Sequence, residues 1–424
     1  MIIILQLLHA VILWVLEFAP YPELFIYPYL TFSGFLPYRD ILDQHFPGLM
    51  FFPLNFYSLG FRDPIAFKLL LILVVTLTSV WIYKISRSRL SVFFYVLWQP
   101  FFEGNQLWLD VFLPIFTLPA FYFFQLQKWF LTGLFLGLGV VFKQTLVPLV
   151  AFVGLILLFR RKFSALAKFS FAALLPSFLM LVYLQKIGVL SDFWYWTIKF
   201  NLSDFAASGS LAPRLQDWIK LSLPIAFIAL AFIKSSNSRK YMFWLLFTII
   251  GGIARFGLIH LQPAVPFFAL ALSALSRTSK PRFIFCLALT TAWLGYFYTH
   301  QNNLFQTKYF DSYSTELAAQ ISRRVQPGDR IFLLGVNPHL YPLTWTLPPA
   351  RTFVFQFPWF INTAGDRILN GLRSDPPQLV VYNPVSNIDN QYLRDYGSRL
   401  VEYIQSNYML SSQIGPYLIY ENRP

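Results

Sequence analysis

The sequence is short of charge, of cysteine and of histidine. Only 12% of its 424 residues are Asp, Glu, Lys or Arg, 56% are hydrophobic, and mean hydropathy is +0.54. Soluble domains carry about 25% charge, so the chain reads as an integral membrane protein. The single cysteine, Cys286, lies in an apolar run, which excludes an intrachain disulfide and leaves the redox compartment open. No H-E-x-x-H, no Cys/His cluster and no Gly-rich phosphate loop occurs, which argues against a tightly held catalytic zinc and a P-loop nucleotide site. No cofactor is called for, a weakly bound divalent cation being the one left open.

A net charge of +14 would suggest nucleic acid in a soluble protein. In a membrane protein the sign is read loop by loop, and nucleic acid is not an expected partner. Apolar stretches near the length of a span, about 15 to 20 residues, lie at 2–18, 66–83, 90–102, 109–125, 129–142, 145–159, 167–185, 219–233, 241–258, 262–276 and 283–299. The first has no basic flank before it and no small-residue cleavage site after it, so a retained span is expected. The count is about eleven. Basic clusters at Lys84/Arg87/Arg89, Lys128, Arg160/Arg161/Lys162/Lys168, Lys234/Arg239/Lys240 and Arg277/Lys280/Arg282 then share one side, the cytoplasmic one by the positive-inside rule.

The acids, unused in drawing that topology, sort to the other side. Glu17, Glu23, Asp40, Asp43, Asp63, Glu103, Asp110, Asp192, Asp204 and Asp217 fall in or beside the opposite loops. Acids contribute little to orientation, so their segregation suggests that the outer face is where carboxylates are used. The stretch at 37–48, P-Y-R-D-I-L-D-Q-H-F-P-G, concentrates them. Ionised groups are costly in hydrocarbon, so it belongs in a loop, which Phe46, Leu49, Met50, Phe51 and Phe52 press onto the membrane surface. Three residues apart, Asp40 and Asp43 would share a face on a helix or turn, one as base and one as orienter. The bland reading is a solvated loop in which Arg39 neutralises Asp40.

Two helical hairpins look short. From 129 to 159 the chain goes and returns with legs of roughly 22 Å at about 1.5 Å per residue, against about 30 Å of hydrocarbon. The tip, F-K-Q-T at 142–145, then sits below the outer surface, with Lys143 snorkelling or paired with an anion. The hairpin at 90–125 carries Glu103 and Asp110 at its tip, so two recessed polar tips are placed to face one another. Arg255, near the outer end of a span and five residues before His260, also calls for an anion, a carboxylate or a lipid phosphate. His45 and His260 are both placed outside, and a lone interfacial histidine is commonly structural.

After Thr299 the composition changes: residues 301–424 hold nine acids and ten basic residues. A helix at 314–325, a Pro327-Gly328-Asp329 turn, strands at 330–334 and 379–382, helices near 366–373 and 391–405 and a final strand pair describe a small α/β domain. The domains expected are thus 1–300 in the membrane and 301–424 outside the cytoplasm.

The loop P-Y-R-D-x-x-D-Q-H-x-P-G after a first span, the F-K-Q-T tip, R-F-G-x-x-H before P-A-x-P, and P-G-D-R-I-F-L-L-G in a terminal α/β domain together resemble the GT-C class of membrane glycosyltransferases. The likeness is to the bacterial branch related to protein O-mannosyltransferases and lipid A aminoarabinose transferases. It implies a multi-pass protein of the bacterial cytoplasmic membrane that moves a sugar from a polyprenyl-phosphate donor to a hydroxyl of a lipid, glycan or protein acceptor on the outer side. It implies Asp40 as base, with Asp43 beside it. A second acid maps to Glu103 or Asp110, and Arg39, His45, Lys143, Gln144, Arg255 and His260 are implied in substrate binding, Lys143, Arg255 and His260 at the donor phosphate. Family members commonly have a longer second outer loop, a departure that leaves the acceptor open. The alternative is a transporter or lipid flippase with a soluble outer domain, which calls for a polar path through both leaflets and repeat symmetry; no internal repeat is visible.

Overall fold

The computed structural model describes residues 2–51, 54–276 and 280–422. Arg277 of the last basic cluster and Phe52 of the aromatic run lie outside the described residues. The chain is mostly helical. Among the described residues three helices are long and apolar enough to cross a membrane: Pro64–Ser86, Phe163–Lys186 and Leu215–Lys234. Shorter apolar helices include Ile2–Val15, Trp129–Phe142 and Val265–Leu275. Large apolar side chains such as Leu73, Phe171, Leu174 and Phe178 stand exposed on the long helices. Water disfavours such a surface and lipid does not, so the architecture is compatible with a helical membrane protein.

The span expected at 241–258 is not a single helix. Met242–Thr248 and Gly251–Ala254 are separate short helices, and Arg255 leaves the second in an extended conformation, bridging to Leu211. The Gly251-Gly252 pair and the turn before it supply the break, since glycine weakens a helix interior.

Beside the division expected after residue 300, contacts give two compact units. The first comprises Met1–Pro20, Ile65–Leu181 and Leu211–Gln306, and the second Tyr21–Pro64, Val182–Ser210 and Thr307–Pro424. The second unit takes up two segments from earlier in the chain.

In the first unit the short hairpin is Trp129–Phe142 and Val147–Phe159, joined through extended Lys143 and a 3-10 turn at Gln144–Leu146. Gly133 and Gly137, four apart, let helix Trp129–Phe142 meet helix Phe163–Lys186 backbone to backbone. A Cβ at Gly133 would lie 2.2 Å from the Phe169 carbonyl oxygen, and one at Gly137 2.3 Å from that of Ala173. Small residues at this spacing permit the close packing that holds helices together where water no longer drives them.

In the second unit four strands form one sheet: β1 (Ile331–Leu334), β2 (Leu379–Tyr382), β3 (Tyr408–Ile414) and β4 (Tyr417–Asn422), in the order β1-β2-β4-β3. β1 and β2 are parallel, with Ile331 opposite Leu379, while β4 runs antiparallel to both β2 and β3. Every residue of β1 and β2 is buried, as expected of parallel strands covered on both faces. Helix Ser312–Ser322 buries Leu317 and Ile321, and helix Ser398–Asn407 buries Leu400 and Ile404. The helix expected near 366–373 begins earlier, at Pro358, where proline suits a first turn. The helix expected from 391 to 405 is split into a short Leu393–Tyr396 helix and helix Ser398–Asn407, after a small hairpin of Asn387–Ile388 and Gln391–Tyr392 around positive-φ Asp389 and Asn390. Asn and Asp tolerate that conformation best among residues with a side chain.

Candidate functional site

Helix Glu23–Phe32 ends at Ser33 and a positive-φ Gly34, and the acidic loop follows. It is not a solvated connector. Asp40 and Asp43 are both buried. The Asp40 N–H donates to the Leu36 carbonyl at 2.9 Å, and Asp40 Oδ2 accepts from the Leu36 N–H at 2.9 Å, a reciprocal clasp around Tyr38, whose φ is 62°. Ile41 and Leu42 then run as a short strand parallel to Phe353 and Val354, started by the Phe353 N–H bonding the Asp40 carbonyl at 2.7 Å. Extended backbone between them means that Asp40 and Asp43 do not share a helix face.

Their partners differ accordingly. Asp43 has both oxygens engaged: Oδ2 accepts from the Tyr27 hydroxyl at 2.5 Å, and Oδ1 takes the His45 N–H at 2.7 Å with the His45 ring Nδ1 at 3.0 Å. Burial and the neighbouring Asp43 charge raise the Tyr27 phenol well above its usual range, so it remains a donor. Asp40 Oδ2 meets, besides Leu36, Arg351 Nη2 at 3.2 Å. Among the described residues Asp40 Oδ1 accepts no hydrogen bond.

Arg39 does not neutralise Asp40. Its Nε pairs with Asp192 at 3.1 Å and its Nη2 donates to the Gly188 carbonyl, while Arg367 donates to the Arg39 carbonyl. Three guanidinium groups, those of Arg39, Arg351 and Arg367, therefore gather on this loop, and the first two are about half exposed, with side-chain exposures of 45% and 50%. Sequence reasoning missed Arg351 and Arg367 because they arrive from more than 300 residues away with no local motif. The one available signal was Arg351 beside Pro348 and Pro349, a turn able to aim a side chain.

The first unit holds a second constellation. Lys143 Nζ meets Asp110 Oδ2 at 2.5 Å, and His260 Nδ1 meets the same oxygen at 2.7 Å. The hairpin tips expected to face one another meet through Lys143 and Asp110. The donor-phosphate expectation for Lys143 and His260 meets a physical objection, since the charge of Lys143 is balanced by a buried carboxylate. Arg255 lies on the bridge to Leu211, and Gln144, half-buried, opens the turn beside Lys143. Glu103, with φ of 58°, accepts from the Ile259 N–H at 3.2 Å. Glu103 also lines a cavity of about 260 Å³ with Arg214, Asp217 and Lys220, none of which was expected to accompany it.

No family model and no curated protein matches this sequence. What the protein does is therefore argued from these two constellations: in the Asp110 cluster Oδ2 takes both Lys143 and His260 while Oδ1 stays buried with no hydrogen-bond partner among the described residues, and the Asp40 loop keeps an acceptor oxygen beside half-exposed cations.

Proposed function

We propose that this protein is a membrane-embedded glycosyltransferase that moves a sugar from a polyprenyl-phosphate donor to an acceptor hydroxyl, with Asp40 as general base. The observation that carries the reading is the contrast between the two aspartates. Asp43 has both oxygens committed and acts as a brace through Tyr27 and His45, whereas Asp40 is fixed through one oxygen and keeps the other uncommitted. A base held in one pose with an unoccupied acceptor atom suits proton abstraction. The resemblance of the loop to the GT-C class supports the same assignment.

In the proposed step the acceptor oxygen forms a bond to the anomeric carbon as its proton passes to Asp40 Oδ1. The bond from that carbon to the phosphate oxygen breaks, and its electron pair leaves with the polyprenyl phosphate. Half-exposed Arg351 and Arg39, with Arg367, lie near enough to the base in the fold to offset the growing phosphate charge, and guanidinium suits phosphate by its planar donor geometry. The proposal includes about eleven spans, a bacterial cytoplasmic membrane and catalysis on its outer side, for which the basic-loop pattern is the support.

The test is Asp40→Asn in membranes supplied with labelled polyprenyl-phosphate sugar. Transfer is expected to fall by about 10² to 10⁴, the range for loss of a general base, with expression retained because the amide can still accept from Leu36. Transfer near the wild-type rate would remove Asp40 from the chemistry.

A further inference from the structure

The second unit contains a cavity of about 440 Å³ that the transfer reaction does not use. That volume is in the range of small-molecule sites. One wall is the segment F-V-F-Q-F: Phe353, Phe355 and Phe357 alternate along extended backbone and so present one face, with Phe353 and Phe355 edge to face at 5.3 Å and Phe355 and Phe357 stacked at 5.9 Å. Tyr21 and Tyr309 add two more rings. Glu23 also lines it.

Glu23 is 7% exposed, and its Oε2 has no hydrogen-bond partner among the described residues. Its own backbone N–H serves the carboxyl, and Asp43 adds a second negative field. None of the described residues lining the cavity is basic. A buried carboxylate with an unpartnered oxygen is expensive. Aromatic faces cannot relieve it, because they are electron-rich, but they attract the same ligand that it does: a cation. A neutral polyol would satisfy the hydrogen bond but gain nothing from the Asp43 field or the rings, nor, above about pH 8, from the ionised Glu23.

We propose that this cavity is a binding site for a small organic cation, with the ammonium group of the ligand paired to Glu23 and its alkyl substituents against the Phe353, Phe355 and Phe357 rings. Gln356 is not available as a competing ligand for it, since its Nε2 donates to the Leu333 carbonyl and its Oε1 accepts the Gly335 N–H. The site shares the Asp43 field and the Phe353 strand with the Asp40 loop but takes no part in the proposed transfer, so it is tested separately.

Choline is the probe, and 3,3-dimethylbutan-1-ol its neutral isostere, each titrated calorimetrically into the full-length protein in a maltoside detergent that has no choline headgroup. Choline is expected to bind about tenfold to a hundredfold tighter than the isostere at pH 9, where Glu23 is ionised, through an ion pair without a hydrogen bond, since its quaternary nitrogen carries no N–H, and through cation–π contacts. Glu23→Gln should abolish that preference, and Phe355→Leu, which keeps the carboxylate, should weaken choline binding while leaving the preference for charge. Burial, with Asp43, pushes the Glu23 carboxyl up to about 8, so choline affinity should also rise as pH is raised through that value. The groups around Glu23 are Asp43, Tyr27 on its own helix, Tyr21 and Tyr309 on the cavity wall, and Tyr341, which also lines it. Equal binding of choline and its isostere, unchanged choline binding by Glu23→Gln with a normal melting transition, or binding of methyl glucoside without choline would overturn the proposal.

Discussion

Asp110→Asn tests whether the Asp110 cluster is a structural brace. The wild-type carboxylate is fully buried, Lys143 is 4% exposed, and their contact is 2.5 Å. Asparagine preserves the shape and removes the charge, leaving the Lys143 ammonium without its balancing anion. Losing one member of a buried ion pair costs about 3–5 kcal/mol, and His260, with 18% side-chain exposure, can relieve little of it since it is a donor to the same oxygen. Equilibrium unfolding in mixed SDS and maltoside micelles, followed by tryptophan fluorescence, reads the loss directly. The paired variant Asp110→Leu with Lys143→Met removes both charges, and it should be less destabilised than the sum of its single changes, by a coupling of about 0.5–3 kcal/mol. Donor binding, measured in parallel on the folded fraction, should be retained in Asp110→Asn. Additive single effects, or an Asp110→Asn protein as stable as the parent, would show that these groups are not one coupled ion-pair cluster.

Arg351→Lys should lower transfer by roughly tenfold or more while Asp40 remains in place, because lysine lacks the planar guanidinium whose Nη2 meets both Asp40 and the Gly34 carbonyl and whose remaining donors suit phosphate; a rate assay with donor titration checks it. Gly137→Leu should destabilise the protein by about 1–3 kcal/mol, the cost of overpacking, since even a Cβ there would lie 2.3 Å from the Ala173 oxygen, and the same micelle unfolding assay reads it. Stability should fall as pH rises between 4.5 and about 8 on account of Glu23, whose unfolded form ionises at the lower value while the folded one keeps its proton to the higher. The slope in a pH series of unfolding midpoints should flatten in Glu23→Gln. On the acid side His339, lowered from 6.5 to about 4 by burial, should cost stability as pH falls through that interval.

Local chemistry fixed what was legible in the sequence. Runs of apolar residues announce helices because hydrocarbon-length stretches have few other fates. The shortness of the hairpin at 129–159 was legible by counting residues. Strands β1, β2, β3 and β4 were legible from short β-branched and aromatic runs between turns, and the Pro327-Gly328-Asp329 turn closes with the Asp329 N–H on the Gln326 carbonyl at 3.0 Å. The importance of the loop at 37–48 was legible from its density of charge. The partners were not. Asp40 meets Arg351 across 311 residues, and Lys143 meets His260 across 117. A sequence shows that a buried charge needs a counter-charge, but any of several cations at similar depth satisfies that demand equally. Only the register of one strand against another, here Ile41 opposite Phe353, decides which. The same limit explains Glu23, which reads as one more interfacial acid until the F-V-F-Q-F segment folds beside it and encloses it in rings. Distance along the chain carries no information about that enclosure, because it is made by tertiary packing of elements that share no local pattern.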